Sequence, residues 1–97
     1  MSATQDPVVA AARERISALD GEILDAVNRR VALVAELHAH KRAQGYPMRD
    51  PSRERALIDS LTASNPGPLS AQRLAQLYAL LLEICTSEAA RLADDPA

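Results

Sequence analysis

The chain contains no tryptophan and no phenylalanine, and aromatic residues make up only 2% of it. Without such rings there is no platform for stacking nucleic-acid bases. The core must be built from Leu, Ile, Val and Ala, which suits packed helices better than sheets. The single cysteine, Cys85, excludes an internal disulfide. No run of about 18 apolar residues is present to span a bilayer. The stretch from Met1 to Pro7 is polar and lacks the apolar centre of a secretory signal, so the expected location is the cytoplasm. Lys and Arg number 11 against 13 Asp and Glu, a net charge of −2. That balance sets up no basic field for nucleic acid or an anionic membrane surface.

What is present is hydrophobic and periodic. Hydrophobic residues account for 47% of the 97 residues, a length that suits one small domain. The domain is taken as 1–97, with disordered tails expected at 1–7 and 94–97. Gly45-Tyr46-Pro47 and Pro66-Gly67-Pro68 break the chain into three segments. In the first, from Val8 to Gln44, Ile16, Leu19, Ile23, Val27, Val34 and Leu37 recur at helical spacing. The second opens with Asp50-Pro51, an N-cap followed by proline at the first helical position, and Leu57, Ile58 and Leu61 give it an apolar face. The third opens at Ser70, another N-cap, and carries Leu74, Leu77, Tyr78, Leu81, Ile84 and Cys85 on one stripe. The expected fold is all-α, with one long, one short and one intermediate helix.

The long helix sets the architecture. About 36 residues at roughly 1.5 Å each make a rod of some 54 Å. A compact domain of this size is only about 32 Å across. The rod outruns its own domain while remaining apolar over most of its length, and a second copy of the chain is the simplest cover. The expectation is an intertwined homodimer.

Charged residues interrupt these stripes. Arg30 and Lys41 fall where the first helix calls for apolar residues, and their eleven-residue separation leaves them only about 20° apart around the axis. Arg13 continues the series one turn before Ile16. Inward cations are costly unless paired. They either snorkel or pair with an internal carboxylate, or they form a receptor for an anionic ligand. Glu54 leans inward from the second helix, either to neutralise Arg30 or Lys41 or to accept a hydrogen bond from a ligand hydroxyl. Asp50 reads as a cap that could also touch a ligand, and Arg53 as a solvated neighbour. Glu88 falls on the third stripe and either reaches the same cavity or frays outward. Cys85 reads as a small core residue with no base beside it to make it a nucleophile. His38 and His40, two apart on a helix, point to opposite sides and cannot share a metal. No phosphate loop or hydrolase triad is visible, and neither metal nor cofactor is expected.

The run Arg13-Glu14-Arg15-Ile16-Ser17-Ala18-Leu19-Asp20 resembles the opening of the all-α chorismate mutases. Arg29-Arg30, Lys41 and Arg49-Asp50-Pro51-Ser52-Arg53-Glu54-Arg55 continue the likeness in register, and Leu77 to Glu83 resembles the start of the family's last helical stripe. The likeness covers roughly residues 10 to 90. It implies an intertwined dimer with two sites for a compact dicarboxylate. Arg13 of the other chain would bind one carboxylate and Arg30 the second, while Lys41 would meet the ether oxygen whose bond breaks. Asp50, Arg53 (through its backbone) and Glu54 would hold the ring hydroxyl region, and Cys85 stands where the family has a small residue. The implied reaction is the unimolecular rearrangement of chorismate to prephenate, on the shikimate route to phenylalanine and tyrosine. Ala89 departs from the family, which places Gln or Glu there as a second donor to the ether oxygen; Glu88 is one residue away. That departure keeps open a 4-amino-4-deoxychorismate mutase, which the acidic pair Asp50 and Glu54 would suit. The same pair argues against an isochorismate-pyruvate lyase, and the three aligned cations argue against a non-catalytic helical dimer. The likeness also leaves room for an activating partner enzyme.

Overall fold

A computed structural model describes residues 2–94. A 3-10 turn at Ala3–Gln5 precedes three helices: α1 at Pro7–Gln44, α2 at Pro51–Ser64 and α3 at Ala71–Asp94. No strand occurs among the described residues. Of the tails expected to be disordered, residues 1 and 95–97 lie outside the described residues. The remainder consists of the 3-10 turn with its flanking residues Ser2 and Asp6, and the ends of two helices.

Each boundary has a local cause. The Val8 backbone N–H donates to Asp6 Oδ1 at 2.8 Å, so Asp6 caps α1 and Pro7 takes the first helical position, where its missing N–H costs nothing. At the far end, Tyr46 N–H donates to the Lys41 carbonyl at 2.8 Å and Gly45 N–H to the Arg42 carbonyl at 3.2 Å. This is a Schellman closure, and it places Gly45 at φ 73°, where a side chain would be strained. The α2 cap is the expected one: Arg53 N–H donates to Asp50 Oδ1 at 3.1 Å. Ser70 caps α3 by accepting from Arg73 N–H at 3.2 Å. Between α2 and α3, Asn65 Nδ2 donates to the Leu69 carbonyl at 2.8 Å and Asn65 Oδ1 accepts from Gly67 N–H at 3.0 Å, which pins the loop.

The chain divides into two compact units, Met1–Arg30 and Val31–Ala97. The first is helix with no buried residue among those described, and Ile16, Leu19, Ile23 and Leu24 are all more than half exposed. The second contains the buried residues: Leu74, Cys85 and Ala89 on α3 and the polar His38 on α1. Within it α2 packs on α3, and Leu57, Ile58 and Leu61 are half-buried as their spacing requires. Leu77, Leu80 and Ile84 on α3 stay exposed. No helix among the described residues is long and apolar enough to cross a membrane.

Candidate active site

Lys41 lies in the last turn of α1 and is half-buried. Its ammonium donates to the Met48 carbonyl at 3.2 Å, and its own carbonyl receives Tyr46 N–H in the helix closure. The turn after α1 therefore grips this lysine at both ends. It has no carboxylate partner among the described residues.

Glu54 behaves differently from either use foreseen for it as a counter-ion. Its Oε2 accepts from Arg49 Nη2 at 2.7 Å, not from Arg30 or Lys41. Glu54 stands in the first turn of α2, and Arg49 immediately precedes the Asp50 cap, so the two meet across the start of the helix. The hydrogen bond from Arg49 to Glu54, and then the charge of Glu54, hold the guanidinium pKa above its ordinary value. In water such an exposed pair adds little stability. Its consequence is one of partners: Oε2 of Glu54 is engaged by Arg49, and Glu54 forms no ion pair with Arg30 or Lys41. The pair sits at a cleft of about 520 Å³ between α2 and α3, whose lining also includes Arg55, Ile58, Leu82 and Glu83.

The other expected site residues are placed as follows. The Asp50 carboxylate is engaged through Oδ1, so Arg53 N–H reaches a ligand only by sharing with that cap. The Glu88 carboxylate accepts from Arg91 Nε at 2.7 Å on its own helix. Cys85 and Ala89 are each 1% exposed and belong to the core. In the first unit Arg13 is exposed and Arg30 half-buried. Arg29 pairs with Asp25 at 3.0 Å, whereas neither Arg13 nor Arg30 has a carboxylate partner among the described residues. His38, set aside in the sequence because it could not chelate with His40, is 7% exposed. Burial holds its pKa below the ordinary histidine value, and the charges of Lys41 and Arg42 push it the same way. The overlooked signal was its place one helical turn before Lys41.

An all-helical scaffold that presents unneutralised cations, a carboxylate pair and no activated nucleophile suits a reaction of orientation and charge stabilisation. That description fits an isomerase acting on an anion. The model of the family described as chorismate mutase type II matches residues 12–89. Two solved structures of chorismate mutase from Thermus thermophilus are similar to it. Form I is 30% identical with a TM-score of 0.78, covering 79% of this chain and 96% of that one. Form II is 29% identical with a TM-score of 0.82, covering 86% and 94%. No curated protein matches the chain. The chain belongs to the type II chorismate mutase family and is an isomerase of that activity.

Proposed function

We propose that the chain rearranges chorismate to prephenate as an intertwined homodimer, with each site completed by Arg13 of the second copy. The observation that carries this reading is the sorting of charge. Asp25, Glu54 and Glu88 are matched by Arg29, Arg49 and Arg91, and Arg13, Arg30 and Lys41, the cations that interrupt the apolar stripe of α1, are among those with no carboxylate partner in the described residues. A dianion supplies what they lack.

The chemistry asks for nothing more. In the [3,3] rearrangement a C–O bond breaks as a C–C bond forms, and no proton or electron pair leaves the substrate. Arg13 and Arg30 fork onto the two carboxylates and fold the side chain over the ring. Lys41 stabilises the charge gathering on the ether oxygen. Glu54 and the free oxygen of Asp50 accept from the ring hydroxyl, with Arg53 N–H beside them. The dimer rests on the uncovered apolar side of the first unit. Ile16, Leu19 and Ile23 each gain about 1.5–3 kcal/mol from burial, and the first unit has no core in which to bury them. The place of work is the cytoplasm.

The test is loss of chorismate absorbance with purified protein, run beside the 4-amino analogue and isochorismate. Turnover of chorismate well above both is the expected result. Preference for the amino compound would reassign the substrate.

A further inference from the structure

Among the described residues His38 is the buried polar side chain, and the other buried residues are Leu74, Cys85 and Ala89. No hydrogen bond reaches its ring from the described residues. Yet no sealed side-chain nitrogen or oxygen lacks a partner there, so both ring nitrogens touch the surface of the core. A histidine in that position is a poor choice for packing alone. Leucine would fill similar space and bring no polar atoms, whereas a ring nitrogen at the surface of the core stays open to a partner from outside the chain. The other buried side chains offer it little: Leu74 and Ala89 have no polar side-chain atom, and the Cys85 thiol is a weak donor and acceptor.

Its position gives the ring a use. His38 lies three residues before Lys41 on α1, a spacing that sets the two β-carbons about 5–6 Å apart on adjoining sides of the helix. The Lys41 and Arg42 charges and its burial both favour the neutral ring, which keeps one N–H to donate.

Resting on the assignment of Lys41 to the ether oxygen, we propose that His38 is a further catalytic residue, its ring N–H joining Lys41 Nζ at the substrate oxygen that takes up negative charge. No proton is transferred. The hydrogen bond tightens as the C–O bond lengthens and relaxes when the product carbonyl has formed. Both donors then come from one helix, and α3 contributes apolar packing.

Three enzyme variants and one titration of the wild type test this. His38→Leu removes the donor and keeps the volume; kcat for chorismate should fall at least about tenfold with KM little changed. His38→Gln keeps an N–H and should hold kcat within about threefold of wild type. Lys41→Ala separates the two levels of the argument. If it is inactive while His38→Leu turns over normally, the His38 role is refuted and the site assignment stands. If both turn over normally, the site assignment itself fails. Equal loss in His38→Leu and His38→Gln would make the residue a packing element and overturn the proposal. Should His38→Leu not fold, the wild-type protein with 15N-labelled histidine decides. Adding prephenate should shift the ring resonances of His38 and leave those of the exposed His40 in place; an unmoved His38 would overturn the proposal.

Discussion

The two parts of α1 share one periodicity and meet different fates. Over residues 10–26 every side chain is exposed, including Ile16 at 56% and Ile23 at 59%. From Val31 onward Val31, Val34 and Ala35 are half-buried and His38 is buried, while Leu37 remains 49% exposed. The stripe drawn through Ile16, Leu19, Ile23, Val27, Val34 and Leu37 is therefore covered only in part, with Val27 and Val34 half-buried and the other four exposed. In the second part the covered side is centred near His38, and the stripe lies at its margin. The contrast teaches that hydrophobic spacing marks a face needing cover without naming the molecule that covers it.

The sharpest way to break that contrast is to charge the uncovered part. Ile23→Asp should cost more than about 3 kcal/mol if a second copy buries it, and no more than about 0.5 kcal/mol if it stays in water. Sedimentation should show the wild type as a dimer and the variant dissociated and inactive; an unchanged monomeric wild type would refute the assembly. Next in size, Lys41→Ala and Arg30→Ala should each lower kcat/KM about a hundredfold or more, near 3 kcal/mol, with the fold preserved. Steady-state kinetics beside circular dichroism checks both halves of that statement. In the covered part, Ala89→Gln forces a long side chain into a closed core and should destabilise the protein by about 1–3 kcal/mol, with no gain in turnover. Thermal unfolding measures it.

A smaller effect comes from His38. Its folded pKa is below the unfolded value, so as pH falls the unfolded chain takes the proton first. This contribution leaves stability level above about pH 6.5 and lowers it progressively below. Urea midpoints across that range should fall more steeply for wild type than for His38→Gln; parallel curves would exclude it. Smallest of all, Glu88→Ala removes an exposed pair with Arg91 and should change stability by less than about 1 kcal/mol and activity hardly at all. A loss comparable to that of Lys41→Ala would instead put Glu88 in the site.

Local chemistry was legible in the sequence wherever it involves residues close along the chain. Asp50-Pro51, Ser70 and the Gly45 break marked the helix ends, because caps act over two or three residues. The anomalous cations were legible too, since each interrupts an apolar series. Partner choice was not. As a counter-ion, Glu54 reads from the sequence as a partner of Arg30 or Lys41, and its pairing with Arg49 depends on how the turn enters α2. His38 was misjudged for a related reason. Its burial depends on which side of α1 the rest of the second unit packs against, and a periodicity that fits two overlapping faces does not decide that.

The grip on Lys41 has one more consequence. Its ammonium has three protons, and the Met48 carbonyl takes one. The acceptor is neutral, so it orients the amine without cancelling its charge, as a carboxylate would. Under the proposed role, the substrate anion would find no ion pair to break at Lys41 among the described residues. The orienting acceptor is also main chain, so a side-chain substitution at Met48 leaves it in place. A change in the length of the Gly45–Arg49 turn would move it.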